Sequence, residues 1–186
     1  MNCSTRQQIN IGLILTLIMA LTRSHHWATL SALPDASWAI FFLVGVYLRP
    51  MWIMPALIAA AMGIDYVAIS QFGVSDFCIS PAYGLLVPAY ASLFIAGRIY
   101  AAHHRMSLST LPWLFGTALV GAIAAELFSS GGFYVYSGRF AEPTLAGFIP
   151  QFFEYFPVML SSFAFYLGAA AIAHLLISST HGQRTA

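Results

Sequence analysis

The scarcity of charged residues constrains this sequence more than any other feature. Only 7% of its 186 residues are Asp, Glu, Lys or Arg, and 60% are hydrophobic. An ordinary soluble domain is roughly 25% charged, so a soluble globular fold is excluded, and disorder would require low hydrophobicity and high charge. The seven basic residues are all arginines scattered along the chain, and they form no basic patch that would bind nucleic acid. The sequence therefore predicts an integral membrane protein.

Apolar runs between charged and turn residues predict six transmembrane helices in a single domain, residues 1–186. One span needs about 20 apolar residues, and long unbroken runs are typical of helices and not of barrel strands. The second run is short, because it begins after a cap signal at residues 34–37 and ends at Arg49 and Pro50. The predicted all-α bundle has helices at about 7–23, 36–49, 51–70, 81–102, 111–130 and 152–178.

The arginines predict the orientation of the bundle. If both termini are cytoplasmic, five arginines lie on the inner side and two on the outer side, as the positive-inside rule requires. The longer connections, 24–36, 71–80 and 131–151, then face outward, and elaborate loops commonly carry binding sites. We therefore expect an N-in/C-in protein with an outward-facing ligand pocket. The inner set is Arg6, Arg49, Arg98, Arg105 and Arg184, and the outer set is Arg23 and Arg139.

Cys78 is the first candidate site residue. Ser80 and Pro81 have the types of an N-cap and a first helical residue, so the thiol lies next to the start of the fourth helix. The partial positive charge there favours the thiolate, which binds metals and attacks electrophiles. The alternative is a small buried hydrophobic residue in a loop. Cys3 lies before the first span on the opposite side, and two cysteines cannot form a disulfide framework.

Two carboxylates are predicted inside the membrane. Asp65 lies in the third span, about 7.5 Å from its outer end, where a carboxylate is costly unless it faces a wet cavity or a partner. It is a candidate binding residue, and a structural hydrogen bond between helices is the alternative. Glu126 lies at a similar depth in the fifth span, where nearby serines and glycines also allow a position close to water.

Histidine and tyrosine side chains lie near the same predicted outer level. His25 and His26, in the first outer loop, could ligate a metal, donate to a ligand or pair with Asp65, although solvated loop histidines are common. Tyr83, in the first turn of the fourth span, could direct its hydroxyl into the same pocket. His103 and His104, on the inner side, are interpreted with Arg105 as an interfacial anchor.

Residues 131–156 are rich in aromatic side chains, with nine where the chain average of 15% predicts about four. This excess is consistent with an interfacial belt, and equally with a lid over a broad, partly apolar ligand. The nine residues are Phe133, Tyr134, Tyr136, Phe140, Phe148, Phe152, Phe153, Tyr155 and Phe156.

One thiolate with one or two histidines provides too few ligands for a free zinc site. It suffices as an axial ligand to a metal held in a macrocycle, such as haem or a corrinoid, and a soft thiolate suits that role. A mass of 20.2 kDa, six spans and an outward pocket resemble the substrate-binding S-components of energy-coupling-factor (ECF) vitamin transporters. The constellation His26, Asp65, Cys78 and Tyr83 resembles the BtuM family, small cobalamin-uptake proteins of bacterial inner membranes.

The resemblance implies a role for each of these residues. Cys78 matches the cysteine that ligates cobalt, and His26, Asp65 and Tyr83 match polar positions around the corrinoid, with His25 as the adjacent alternative. It also implies a location in the bacterial inner membrane.

The resemblance further implies an ECF-type ATPase module as a partner. S-components often carry an Ala-x-x-x-Ala pattern in the first span, and the corresponding residues here are Gly12, Thr16 and Ala20. The sequence contains no nucleotide-binding loop of the G-x-x-x-x-G-K-[ST] type, so ATP hydrolysis would come from such a partner.

The expected function is therefore a transporter that captures cobalamin on the outer side and passes it inward, with Cys78 as axial cobalt ligand. A thiolate at cobalt would compete with cyanide, so decyanation of cyanocobalamin is an accompanying expectation, with Cys78 as its catalytic residue. One alternative is a small membrane enzyme with a cysteine nucleophile and a histidine base. The other is a structural or assembly subunit, in which Asp65, Cys78 and Tyr83 affect stability only.

Overall fold

The computed structural model describes residues 4–23, 33–77, 79–105 and 107–183. Short 3-10 turns at Pro81–Leu85 and Leu108–Thr110 precede α4 and α5, and a π-helical stretch, Leu127–Gly131, joins α5 to α6. These ranges contain no strand, which confirms the all-α class. The helices are α1 (Thr5–Thr22), α2 (Ser37–Tyr47), α3 (Ile53–Phe72), α4 (Leu86–His103), α5 (Leu111–Glu126), α6 (Gly132–Tyr136) and α7 (Leu145–Gln183).

In the described residues, four helical segments are long and apolar enough to cross a membrane, as expected for a multi-pass membrane protein, and α1 and α2 are not among them. The four segments are Ile53–Phe72, Pro81–His103, Leu111–Tyr136 and Leu145–Ile177. α2 is a shorter apolar helix of 11 residues, about 16 Å at 1.5 Å per residue, against a hydrocarbon core of about 30 Å. α2 therefore corresponds to the short second helix expected at 36–49, and it is shorter than that prediction.

The last helix begins earlier than the sequence predicts. The expected span covers 152–178, whereas α7 starts at Leu145 and contains both Pro150 and Pro157. Prolines are tolerated inside membrane helices, because neighbouring groups satisfy the carbonyl that loses its donor. Part of the segment expected to be an outer loop is consequently helical, as α6 and the first turns of α7.

α2 is the central element of the bundle. Residues 37–46 are all buried, as expected for a helix that is apolar on every side. α2 contacts α1, α3 and α7, and most extensively α4. Its aromatic residues make the core contacts: the Phe41 ring stacks on Tyr90 with centroids 4.2 Å apart, and Phe42 meets Phe163 edge to face at 5.7 Å.

Two glycines bring the α2 and α4 backbones together. A Cβ atom on Gly45 would overlap the carbonyl oxygen of Phe94, and one on Gly97 would overlap the carbonyl oxygen of Phe42. Small residues at such crossings allow membrane helices to approach closely. The reciprocal contact fixes the two helices against each other, so that both begin at one end of the bundle and both finish at the other.

Alanine at this crossing should destabilise the bundle. We expect Gly97→Ala to lower the free energy of unfolding by about 1–3 kcal/mol or more, because the new methyl group meets backbone atoms that cannot rotate away. The matched control is Gly116→Ala in α5, where an added Cβ has no neighbour within 4 Å. It should leave stability unchanged or raise it by up to about 1 kcal/mol. Thermal unfolding in detergent measures both changes, and equal effects would contradict the assignment of a close helix contact.

Candidate functional site

Arg23 is the centre of a buried polar cluster at the end of the bundle where α2 and α4 begin, which we call the Arg23 end. Its Nε donates to Oδ1 of Asp65 at 2.8 Å and its Nη2 to Oδ2 at 2.7 Å, a bidentate ion pair. Its Nη1 donates to the hydroxyls of Ser37, at 2.8 Å, and Tyr90, at 2.7 Å. The Arg23 and Asp65 side chains are only 7% and 13% exposed. Paired in this way, a buried charge is tolerated in an apolar bundle.

The cluster joins four helices. Arg23 directly follows α1, Asp65 is on α3, Ser37 begins α2 and Tyr90 is on α4. The Ser37 hydroxyl accepts from Arg23 and donates to Oδ1 of Asp35 at 2.6 Å. Oδ2 of Asp35 lies 3.9 Å from Nη1 of Arg23, so a second carboxylate faces the same guanidinium.

The structure brings Asp65 and Tyr83 into direct contact. The Tyr83 hydroxyl donates to Oδ2 of Asp65 at 2.6 Å, and the residue lies in the 3-10 turn Pro81–Leu85 that opens into α4. Asp65 therefore has the partners that a carboxylate at this depth requires: one cation and one phenol. Two of the four predicted binding residues thus share one hydrogen bond.

His26 and Cys78, the other two predicted binding residues, lie outside the described residues, as does His25. Ser80 occupies the N-cap position and Pro81 is the first residue of the turn, as predicted, but the Ser80 side chain makes no cap hydrogen bond. Instead, the Ser80 Oγ is buried, with no hydrogen-bond partner among the residues that the structure describes. A buried hydroxyl two residues from Cys78 is therefore available to a group that reaches this position.

The aromatic segment contacts the residue directly before Cys78. The Phe77 ring lies 5.5 Å from that of Phe133 on α6, and the Arg139 guanidinium is 4.7 Å from the Phe77 ring centroid. Tyr134 and Phe140 continue the cluster with centroids 4.5 Å apart. The predicted aromatic lid is thus helical in part, and it is attached to the Cys78 segment at Phe77.

Glu126 has a different environment from Asp65. It is 0% exposed, which overturns the interpretation that it lies close to water, and it ends α5 where the π-helical stretch begins. Neither carboxylate oxygen has a hydrogen-bond partner among the described residues. The chain therefore contains two buried membrane carboxylates, of which Asp65 is paired with a cation and Glu126 has no counterpart in the described part of the structure.

Arg23 is the site residue that sequence reasoning missed, because its charge was interpreted only as a marker of orientation. A usable signal was present. An intramembrane aspartate needs a cation, and Arg23 and Arg139 are the only two arginines on the predicted outer side.

The residues described by the structure include no group of three or more His, Cys, Asp and Glu that could hold a metal ion. Comparison of the sequence with family models gave no match, and comparison with curated proteins gave none. The functional assignment therefore depends on the residues and their geometry.

Asparagine at position 65 should destabilise the protein strongly. Asp65→Asn removes the bidentate partner of the buried Arg23 guanidinium and leaves only the carboxylate of Asp35, whose Oδ2 is 3.9 Å from Nη1, so we expect a loss of up to about 3–5 kcal/mol in the free energy of unfolding. The matched carboxylate variant is Glu126→Gln, which removes no ion pair and should unfold no earlier than the wild type. Thermal unfolding in detergent compares the two.

A double variant tests the same explanation from the opposite direction. Replacing both members of a buried ion pair with apolar residues is often neutral, so Arg23→Met with Asp65→Leu should recover most of the loss. An Asp65→Asn protein as stable as the wild type would show that the pair contributes nothing to folding.

Proposed function

We propose that this protein is a cobalamin-binding transporter of the S-component type in a bacterial inner membrane. In this proposal it has six transmembrane helices, it takes up the corrinoid through an outward-facing pocket at the Arg23 end, and both termini are cytoplasmic. The observation that carries the proposal is the Tyr83–Asp65–Arg23 hydrogen-bonded chain. Tyr83 lies five residues after Cys78 in the sequence, and Asp65 is one of only six acidic residues in the protein.

The distribution of arginines supports the orientation. Arg49, Arg98 and Arg105 lie together at the end where α2 and α4 finish: Arg98 donates to the carbonyl of Arg49, and Arg105 lines a cavity with Tyr47, the last residue of α2. Arg23 lies at the opposite end. By the positive-inside rule, the end with more arginines faces the cytoplasm, and the Arg23 end then faces outward.

The polar cluster has the chemistry to hold the rim of a corrin ring. A corrinoid carries carboxamide side chains, which need both donors and acceptors. Asp65 offers carboxylate oxygens, Tyr83 a half-buried phenol and Ser80 a buried hydroxyl with no partner among the described residues. The bidentate pair with Arg23 holds Asp65 in place, so these groups are positioned before the ligand arrives.

Cys78 supplies the axial ligand in this proposal. It directly follows Phe77, whose ring is covered by the Arg139 guanidinium at 4.7 Å, and it would bind as a thiolate, the form of cysteine that ligates metals. The thiolate would donate its electron pair to cobalt. When cyanide occupies that position, the cobalt–carbon bond breaks and cyanide leaves with its electron pair. This is a ligand exchange that decyanates the vitamin without any change in oxidation state.

An apolar groove supports an ECF-type module as the partner. Gly12 and Thr16 on α1 line a cavity of about 230 Å³ together with Ala56 and Ala60 on α3. The Thr16 hydroxyl is satisfied by the Gly12 carbonyl at 2.8 Å, so the groove is apolar, with small residues on α1 and α3 beside the larger Leu48 and Trp52. Such surfaces allow another membrane helix to approach closely.

A cobalt spectrum tests the proposed site. Purified protein mixed with cyanocobalamin should shift the cobalt absorption bands, because a thiolate replaces an axial ligand. Cys78→Ala should abolish the shift, whereas the matched control Cys3→Ala should retain it. Tyr83→Phe should weaken binding by about tenfold, since it removes one hydrogen bond at the rim of the ring. Uptake of cobalamin by a transport-deficient bacterial strain expressing the chain gives the second readout.

The outcomes separate the proposal from its alternatives. An unchanged spectrum with the wild type overturns the thiolate assignment. Rapid labelling of Cys78 by thiol reagents, without corrinoid affinity, favours an enzyme with a cysteine nucleophile. If replacing Asp65, Cys78 and Tyr83 together changes only stability, the protein is a structural subunit.

A further inference from the structure

A cavity of about 390 Å³ lies between α2, α4, α5 and α7, where α2 and α4 finish. We call this the His104 end. It is remote from the Arg23 cluster, because Ser37 and Tyr47 are at opposite ends of α2. The volume falls in the range of about 300–1,000 Å³ that is typical of small-molecule sites. This cavity is separate from the proposed corrinoid site.

Two imidazole–phenol pairs form the polar side of the cavity. The Tyr100 hydroxyl is 2.8 Å from Nδ1 of His104, and the Tyr47 hydroxyl is 3.2 Å from Nδ1 of His174. The two imidazole rings are perpendicular, with centroids 5.7 Å apart. Each Nδ1 is therefore engaged by a phenol. Nε2 of His104 is buried and lacks a hydrogen-bond partner in the described part of the chain.

The charge of the cavity selects an anion. Arg105 and the two histidines line it, and no acidic residue is among the described residues that do so. Desolvation by burial, followed by the proximity of His174, lowers the pKa of His104. Burial therefore favours the neutral imidazole, whereas an anion beside it would stabilise the charged form.

The remaining walls are apolar and reach the surface of the bundle. Leu114 on α5 and Leu167 and Leu175 on α7 line the cavity. Leu175 is 61% exposed, so the apolar wall continues to the side of α7 that contacts lipid. A ligand that carries an acyl chain can enter from this side.

We propose that this cavity binds a single-chain fatty acid. Its carboxylate would lie against His104, His174 and Arg105, and its acyl chain along the leucines of α5 and α7. The proposal is independent of corrinoid binding. A negative charge matches the lining of Arg105 and two histidines, and an alkyl chain fills the apolar part of the volume that the polar groups cannot.

Fatty-acid binding can be measured with the full-length protein in phosphatidylcholine nanodiscs, using the fluorescence of cis-parinaric acid and its displacement by dodecanoate. Dodecanoate should displace the probe and dodecanol should not, because only the acid carries the charge. Affinity should also rise as the pH falls from about 8 to about 6, since a bound carboxylate favours protonated imidazole. Among the described residues, the titratable and charged groups that line the cavity are Tyr47, Tyr100, His104, Arg105 and His174.

A matched pair of variants localises the site. His104→Leu with His174→Leu should weaken displacement by about tenfold or more, as expected for lost hydrogen bonds to a charged group. His103→Leu should leave it unchanged, because that imidazole stacks on Trp113 at 4.0 Å and does not line the cavity.

Three results would overturn the proposal: equal displacement by dodecanol and dodecanoate, equal losses in both sets of variants, or displacement by an anionic phospholipid but not by dodecanoate. The comparison of acid with alcohol uses the wild type, so it remains decisive even if the double variant does not fold.

Discussion

The ion pair between Arg23 and Asp65 is the interaction on which the arrangement of this bundle depends. Arg23 follows α1 and Asp65 lies on α3, and the same guanidinium reaches the hydroxyls of Ser37 on α2 and Tyr90 on α4. Buried alone among apolar helices, each neutral group of this cluster would be destabilising by about 1–3 kcal/mol, and each charged group by more. Together they satisfy one another, so only an arrangement that brings all four helices to this point avoids the penalty.

The short central helix explains why such a cluster is needed. α2 has 11 residues, fewer than the about 20 of a full-length span, so its first turn lies inside the bundle, where water cannot satisfy free amides. Side chains beside the cluster supply acceptors: the amide of Ala36 donates to Oγ1 of Thr22 at 3.2 Å, and that of Ser37 donates to Oδ1 of Asp35 at 2.8 Å. Asp35, which faces Arg23, therefore also satisfies an amide at the start of α2, so the site and the fold share this carboxylate.

Charge scarcity and uninterrupted apolar runs predict the all-α membrane class, but of the six expected spans only four are long and apolar enough in the described residues to cross a membrane. The predicted start of the last helix is wrong, because Pro150 lies inside α7 and a proline is a poor marker of a helix boundary in a lipid environment. The sequence also predicts that Asp65 requires a partner, but not that the partner is Arg23, 42 positions away. The pairing of His104 with His174 is equally invisible, since periodicity indicates which face of a helix is buried and not which distant side chain it meets.

The separation of charge along α2 and α4 gives the two ends different chemistry. At the Arg23 end, two carboxylates face one guanidinium, so that cation is already neutralised and a ligand must bind through hydrogen bonds or through a metal ligand such as a thiolate. At the His104 end, the described lining of the cavity holds Arg105 and two imidazoles without an acid, so an incoming anion meets no competing carboxylate. A corrinoid with neutral carboxamides suits the first environment and a carboxylate suits the second. Because the close contact at Gly45 and Gly97 keeps α2 and α4 together between them, this pair of helices carries groups of both proposed sites, and the two proposed ligands would not compete for one site.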